Sequence, residues 1–275
     1  LFDSIKLLPF LFLAYLLMEY LEHKTGNKTK DIVKKSGKLG PLLGGIIGIF
    51  PQCGFSAAAA NLYAGKIITM GTLIAVFLST SDEMLPILIS EAAPASLILK
   101  ILAIKLVVGI IAGFVIDLVI NVIGKTKKVE PEEAVGHMCE HDHCDCEHGI
   151  FKSALKHTIN IFIFITIITF AINTLIHFIG EETIEKAIAG VPVLGILVSS
   201  IFGLIPNCAG SVIITELYLS NLISFGSMIA GLLVGSGIGI LVLFKSNKNI
   251  KENLTITGLL MLVGIIVGLI IDFVI

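Results

Sequence analysis

The chain has 275 residues, of which 55% are hydrophobic and 15% are charged, and its formal net charge is -2. Several apolar runs reach the length of about 20 residues that a membrane-spanning helix needs. This composition excludes an ordinary soluble protein, and the lack of a basic patch excludes nucleic acid as a partner. The sequence therefore predicts an all-α, polytopic protein of the cell (inner) membrane, with the lipid bilayer as its surroundings.

Two stretches of the chain resemble each other at a constant offset of 155 residues. Residues 40–84 align with 195–239, and twelve of the thirty-four positions from 48 to 81 are identical. The same offset places 109–120 on 264–275, with eight of twelve identical. This pattern indicates an internal duplication. It predicts two transmembrane repeats, 1–124 and 151–275, joined by a linker at 125–150.

The apolar runs predict three full crossings in each repeat. They are 5–22, 68–89 and 97–123 in the first, and 159–178, 222–244 and 254–275 in the second. Connections at equivalent positions differ in charge. The connection 23–38 has six lysines, whereas its counterpart 180–190 is acidic. The connection 90–96 has no lysine, whereas its counterpart 245–253 has three lysines. Lysine-rich short loops stay in the cytoplasm. The two repeats are therefore expected to be inverted relative to each other, as in many secondary transporters.

Each repeat also contains a proline two residues before a cysteine, which we call the P-x-C motif: Pro51 and Cys53, then Pro206 and Cys208. The apolar pieces beside each motif have roughly a dozen residues, about 18 Å of helix, too short to cross a bilayer. Proline lacks a backbone donor and interrupts a helix. We expect broken or re-entrant helices at the motifs, one from each side. If each piece instead pairs with a neighbour, the chain has about ten crossings.

Polar side chains gather at these interruptions, and irregular backbone at membrane depth survives only where it is buried or lines a cavity. The run 79–83 is a further candidate break. Carboxylates inside a membrane usually mark an ion path, and thiols beside amide and carboxylate oxygens suit a soft or borderline metal or a trivalent metalloid. The predicted substrate-binding residues are Gln52, Cys53, Ser56, Asn61, Asp82, Glu83, Asn207, Cys208, Ser211 and Glu216. An anion held by half-helix N-termini after the cysteines is the alternative.

The linker between the repeats has the composition of a transition-metal site. Cysteine, histidine and carboxylate side chains are the ligands of zinc and copper, although the spacing here matches no zinc-finger template. On the predicted topology the linker is cytoplasmic, where thiols stay reduced. Zinc or copper is therefore expected to bind flexibly, as for a sensor or antenna, and no cofactor is required elsewhere. The ligands are His137, Cys139, His141, His143, Cys144, Cys146 and His148.

No phosphate-binding loop occurs in the sequence, so ATP hydrolysis by this chain is not expected. No catalytic base is found beside a nucleophile at membrane depth, so we expect no enzyme. The predicted function is a secondary transporter that exports a heavy-metal cation or metalloid by alternating access. A membrane metal sensor without transport is the alternative.

The duplicated G-[IL]-[FI]-P-[QN]-C motif, the NLYAGK sequence after its first copy, the STSDEMLP run and the Cys/His-rich linker together resemble a known family. They are similar to the ten-transmembrane heavy-metal exporters of prokaryotes, described as arsenic-efflux-permease-like and as manganese transporters. The resemblance covers nearly the whole chain. It implies a permease with ten helices that exports a metal or metalloid. Cys53 and Cys208 lie in separate repeats with no vicinal pair, which departs from arsenical permeases that use membrane cysteines.

Overall fold

The computed structural model describes residues 39–50, 53–81, 84–123, 192–206 and 208–274, with single residues at 12, 13 and 16 and between 155 and 174. Within these ranges the chain is helical or forms short connections, and no strand occurs. The predicted all-α class is therefore confirmed. The crossings at 5–22 and 159–178 lie mostly outside the described residues, and the linker 125–150 lies wholly outside them.

The described helices of the first half are α1 (Leu39–Gly48), α2 (Cys53–Ala64), α3 (Met70–Ser79), α4 (Met84–Ser90) and α5 (Ala95–Ile123). Those of the second half are α6 (Pro192–Gly203), α7 (Cys208–Leu219), α8 (Phe225–Val234), α9 (Gly239–Ser246) and α10 (Ile250–Val274). At the offset of 155, α2, α3 and α4 begin at the positions where α7, α8 and α9 begin. The duplication seen in the sequence thus reappears in the helix boundaries.

The duplicated helices also begin and end by the same local chemistry. Thr69 and Ser224 are the N-caps of α3 and α8, and each hydroxyl accepts a hydrogen bond from the amide three residues later, at 3.1 Å. Such caps satisfy amides that have no partner within the helix. After α2 and α7 the chain turns through Lys66 (φ 55°) and Asn221 (φ 57°), both in the left-handed region. Both halves therefore end one helix and start the next within five residues.

Two of the predicted crossings are interrupted near their middle. In the crossing at 68–89, α3 ends at Ser79 and α4 begins at Met84, which agrees with the candidate break in the run 79–83. The predicted crossing at 222–244 is confirmed as an apolar span at 225–246, but it consists of two helices, because α8 ends at Val234 and α9 begins at Gly239. Gly237 lies between them with φ 55°, a conformation that glycine adopts without strain.

In the part of the chain that the structure describes, three helical stretches are long and apolar enough to cross a membrane: 95–122, 225–246, which contains α8 and α9, and 250–274. The predicted crossings at 97–123 and 254–275 are therefore confirmed within a few residues. Of the most apolar 18 residues in each stretch, 83% are buried in 225–246, 17% in 95–122 and 28% in 250–274. The interrupted α8–α9 segment is thus central, while α5 and α10 expose apolar side chains outward, as lipid-facing helices do.

Glycines bring the paired helices of each half into backbone contact. A Cβ at Gly71 in α3 would overlap the carbonyl oxygen of Gly113 in α5, and one at Gly226 in α8 would overlap that of Gly268 in α10. Small residues permit this close approach in lipid, where helix packing replaces the hydrophobic effect. The pairs α3–α5 and α8–α10 consequently have the same contact geometry.

Candidate functional site

The two motif cysteines occupy the same place in each half. Cys53 is the first residue of α2 and Cys208 is the first residue of α7. Each motif therefore joins the end of one short helix to the N-terminal end of the next. At the first motif the rings of Phe50 and Phe55 lie 6.1 Å apart, so the two helix ends pack on each other. The predicted residues Gln52, Asp82, Glu83 and Asn207 lie outside the described residues, as do both cysteine side chains.

Ser56, one turn after the first motif cysteine, lies against the interruption of the other half. Its side chain is fully buried. A Cβ at Gly239, the first residue of α9, would come within 2.9 Å of the Ser56 Cβ and within 2.7 Å of the Phe77 ring. The predicted site residue Ser56 is therefore brought next to the break between α8 and α9, a contact between the halves.

Asn61 makes a second contact between the halves. Its side chain is fully buried, and its Oδ1 accepts a hydrogen bond of 2.7 Å from the Ser246 hydroxyl at the end of α9. Helix α2 therefore packs along α9 from Ser56 to Asn61. A buried amide that is bonded across an interface fixes the register of the two helices, because breaking the bond leaves a buried polar group.

In the second half the equivalent residues lie differently. Ser211 is partly buried and Glu216 is exposed. Helix α7 contacts α4, the counterpart of α9, and the position equivalent to Ser246 is Glu91, which is also exposed. The predicted residues Asn61 and Glu216 are equivalent in the duplication, yet the structure buries only Asn61.

The hydroxyls around the first interruption are bonded to backbone. Ser79 Oγ donates to the carbonyl of Ala75 at 2.7 Å, and Thr80 Oγ1 donates to that of Val76 at 2.7 Å. Ser81 Oγ donates a hydrogen bond of 2.5 Å to the carbonyl of Ile49, which lies next to the first motif. The end of α1 is thus attached to the break after α3, and this break adjoins the predicted carboxylates Asp82 and Glu83 in the chain.

A cluster that the sequence analysis missed joins the end of α2 to the start of α10. The Tyr63 hydroxyl donates to Glu252 Oε1, and Lys66 Nζ lies 3.1 Å from the same oxygen. At the equivalent positions of the duplication stand Tyr218, Asn221 and Leu97, and these three side chains cannot form an ion pair. We call Tyr63, Lys66 and Glu252 the Glu252 cluster. The NLYAGK sequence contains two of its members, but nothing in the sequence pairs them with a glutamate 186 residues away.

Asp117 and Asp272, which the duplication also aligns, are anchors of helix N-termini. Asp117 accepts hydrogen bonds from the Thr69 hydroxyl at 2.7 Å and the Gly71 amide at 2.8 Å. Asp272 accepts from the Ser224 hydroxyl at 2.5 Å and the Gly226 amide at 2.8 Å. A carboxylate is favourable at the positive end of a helix. These residues therefore stabilise the fold and take no part in the candidate site.

Lys105 is a buried cation that the sequence analysis left without a role. Its side chain is 1% exposed in the middle of the spanning helix α5, and its Nζ donates to the carbonyl of Leu232 near the end of α8. On insertion scales a charge at the centre of a membrane helix costs about 2.5 to 3.5 kcal/mol. The C-terminal end of α8 offsets part of this cost, because its carbonyls attract a cation.

Among the described residues, no group of three His, Cys, Asp or Glu side chains could hold a metal ion. The predicted ligands at 137–148 lie outside the described residues. The zinc or copper prediction for the linker therefore stays a prediction.

Comparison with known families identifies the class of protein. The family model ArsP_2, whose description reads "Putative, 10TM heavy-metal exporter", matches the chain over residues 6–178 and 150–275. These matches cover nearly the whole sequence, so the chain belongs to this family of multi-pass membrane transporters. No curated protein and no solved structure matches it.

Proposed function

We propose that the protein is a secondary transporter that exports a soft metal cation or a metalloid, not an enzyme, and that the substrate binds between two inverted halves. The single observation that carries this proposal is the contact of the first P-x-C helix with the interruption of the other half, at Ser56 and Gly239. Helix interruptions inside a membrane are where transporters bind substrates and coupling ions.

Inversion is supported by the way both halves use helix α10. Tyr63 and Lys66, just before α3, contact Glu252 at the start of α10, whereas Ser224, just before α8, bonds to Asp272 near its end. Glu252 and Asp272 are 20 residues apart, about 30 Å along a helix, which equals the thickness of the bilayer core. The equivalent helices α3 and α8 thus begin near opposite ends of one spanning helix, as inverted repeats require.

The lengths of α3 and α8 support a site at mid-depth. Each has 10 residues, about 15 Å of helix and half of the bilayer core. Helices that begin at opposite faces and are this long both end near the midplane. The interruptions that follow them, with Asp82 and Glu83 after α3, therefore belong at the depth where a substrate pocket shared by the halves would lie.

Contacts of α1 support a re-entrant hairpin at the first P-x-C motif. A Cβ at Gly44 would be 2.9 Å from the carbonyl of Thr72, and one at Gly48 would be 2.7 Å from that of Val76. Helix α1 therefore runs alongside α3 in the same direction and ends level with the break. Helix α2 must then return, because only five residues join its end to the start of α3. Counting these short helices gives five apolar segments per half, in keeping with the family's ten.

The chemistry of the pocket supports a soft or borderline metal or a metalloid. Cys53 and Cys208 would supply sulfur ligands, and Gln52 and Asn207 would supply amide oxygens. Asp82 and Glu83 would balance charge or transfer protons, since carboxylates in membranes serve these roles. The N-terminal ends of α2 and α7 would favour the anionic thiolate, because a helix N-terminus attracts negative charge.

The start of α2 and α7 at the motif also favours a second candidate, an anion permease. Two half-helix N-termini at one depth could bind an oxyanion by their free amides. The two candidates differ in what the cysteines do. Thiols are required for a soft metal or for arsenite, whereas serine in their place would still permit anion binding.

The test is a metal-tolerance panel on cells that express the wild type, the double variant Cys53→Ala with Cys208→Ala, the double serine variant, or Asp82→Asn. Export predicts that the wild type raises tolerance to at least one of arsenite, manganese, zinc and cadmium, and that the other three lose this gain. Equal tolerance in all strains would remove the proposal. Arsenate is added to the panel for the second candidate: a gain in arsenate tolerance that the serine variant keeps would favour the anion permease.

A further inference from the structure

The start of helix α9 is buried and has no side-chain cap. Its N-cap residue is Ile238, which makes no cap hydrogen bond, whereas Thr69 and Ser224 cap α3 and α8. The amides in the first turn of a helix have no partner within that helix. Residues 236–240 are all buried. A helix start that is buried in this way requires an acceptor from elsewhere, such as a ligand.

Ser236, two residues before the N-cap, adds a hydroxyl that also lacks a partner. Its side chain is fully buried and, within the ranges that the structure describes, makes no hydrogen bond. Its carbonyl accepts a hydrogen bond of 3.1 Å from the Gly239 amide, so the hydroxyl belongs to the tight turn that leads into α9. Buried polar groups in native proteins are paired, and a bound water or ion explains many exceptions. The hydroxyl and the helix start therefore lack partners at the same turn.

The backbone of this turn has the form of an anion-binding nest. Gly237 has φ 55°, and Ile238 has φ −73° and ψ −10°. Successive residues of opposite hand form a concavity of N–H groups that binds anions. The amides of Gly237 and Ile238 have no backbone acceptor in the described part of the chain. Amides and a hydroxyl at the positive end of a helix dipole favour an anion over a metal cation.

The other half has acidic residues at the equivalent positions. At the offset of 155, Gly237 and Ile238 correspond to Asp82 and Glu83, the two residues just before α4. Carboxylates are favourable at the start of a helix. Residues 234–244 contain no aspartate or glutamate. The start of α9 thus has no negative charge from its own stretch of the chain.

We propose that the turn between α8 and α9 binds a small inorganic anion through the Ser236 hydroxyl, the amides of Gly237 and Ile238 and the first turn of α9. Gly239 in this turn lies against Ser56, so the anion is next to the contact between the halves. In the proposed transporter, an anion at this place would offset the charge of the exported metal. That role rests on the proposed function, whereas the binding of the anion does not.

The experiment measures the melting temperature of the full chain, purified in detergent, as sodium gluconate is replaced by sodium chloride, nitrate, sulfate or phosphate at equal ionic strength. We expect at least one small anion to raise the melting temperature of the wild type by roughly 3 °C or more at saturation. Ser236→Ala should lose most of this rise. Ser81→Ala is the matched control and should keep it, because the Ser81 hydroxyl already donates to the carbonyl of Ile49.

The gluconate sample separates ligand binding from a structural role of the hydroxyl. In gluconate, Ser236→Ala should melt no lower than the wild type, because it removes a buried hydroxyl that has no partner. A much lower melting temperature, or a variant that does not fold, would show that the hydroxyl is structural and would overturn the proposal.

Two results with the wild type would also overturn it. One is a melting temperature that is the same in all five salts. The other is a rise that is equal in the wild type, Ser236→Ala and Ser81→Ala, since sulfate and phosphate strengthen burial in any protein. These results do not depend on metal export: failure of the tolerance panel leaves the anion site intact, and failure here leaves export intact.

Discussion

The two P-x-C helices meet the opposite half in different ways, although the duplication makes them equivalent. Helix α2 packs along α9, where Asn61 is buried and bonded to Ser246, and the Glu252 cluster closes the end of the contact. Helix α7 meets α4 with Glu216 and Glu91 at the corresponding positions, both exposed. Both carboxylates are exposed, so no buried hydrogen bond like that between Asn61 and Ser246 joins the second pair of helices at these positions.

This difference shows how two duplicated halves can favour closure toward one face of the membrane. In an inverted transporter, the closed contact blocks access from one face while its counterpart leaves the other face open. The α2–α9 contact lies beside the start of α10, where Tyr63 and Lys66 bind Glu252. On the proposed inverted arrangement, the described residues fit a state that is closed at the α2–α9 contact, because Asn61 is buried and bonded there while its equivalent Glu216 is exposed.

The largest effect is expected when the buried residue of the α2–α9 contact is replaced by the residue at the equivalent position of α7. Asn61→Glu buries a carboxylate beside Ser246 without a cationic partner, which costs about 3 to 5 kcal/mol. We expect little folded protein, measured by size-exclusion chromatography in detergent. The matched control is Glu216→Asn, which changes an exposed residue and should alter stability by less than about 0.5 kcal/mol. Equal losses in both variants would contradict the asymmetry.

Next in size is a change that should affect both halves alike. Gly71→Ala and Gly226→Ala each force a Cβ onto a backbone carbonyl of the facing helix. Overpacking of this kind costs about 3 kcal/mol, and the melting temperature should fall equally in the two variants. Gly258→Ala is the control, because a Cβ there meets nothing within 4 Å. A loss in only one of the first two variants would show that the halves do not share this packing.

A smaller, symmetric loss is expected from the helix anchors. Asp117→Asn and Asp272→Asn each weaken two hydrogen bonds to the start of a helix, and bonds to a charged group contribute about 1.5 to 3 kcal/mol. Thermal melting should place the two variants within a few degrees of each other. A much larger loss for Asp272→Asn than for Asp117→Asn would mean that the second half depends on its anchor in a way the first does not.

The smallest effect is expected at the Glu252 cluster. Tyr63→Phe removes a hydrogen bond to Glu252 and should cost about 1.5 kcal/mol, the lower end for a bond to a charged group, because Lys66 still pairs with Glu252. It should also speed maleimide labelling of Cys53 in a protein whose other cysteines are replaced by serine, because the α2–α9 contact opens more often. Tyr218→Phe is the control, since Tyr218 packs on Phe225 with ring centroids 5.7 Å apart. An unchanged labelling rate in Tyr63→Phe would mean that the cluster does not hold the contact closed.

The sequence predicted those features that local pattern controls. The duplication, the spanning helices α5 and α10 and the short helices beside Pro51 and Pro206 all follow from runs of apolar residues and from helix-breaking residues. The interruption after Val234 was missed, because the glycines there stand within an apolar stretch that reads as one continuous helix. Ser56 and Asn61 were identified from polarity alone, while their partners Gly239 and Ser246 depend on packing between the halves.

Contacts over long separations could not be predicted for a physical reason. Tyr63, Lys66 and Glu252 meet only because α2 ends beside the start of α10, and Lys105 meets Leu232 only because its long side chain reaches from α5 to the last turn of α8. Neither contact leaves a periodic signal in the sequence. A charged lysine within an apolar helix needs a polar partner. This was the signal in the sequence that could have identified Lys105.

The central claim, that the halves are inverted, is tested most directly by two cysteines at equivalent helix starts in a protein whose own cysteines are replaced by serine. Ser96→Cys and Lys251→Cys are related by the offset of 155, and both positions are exposed. A membrane-impermeant maleimide applied to intact cells is expected to label Ser96→Cys and to leave Lys251→Cys unlabelled until the membrane is opened. Labelling of both from the same side of the membrane would contradict the account.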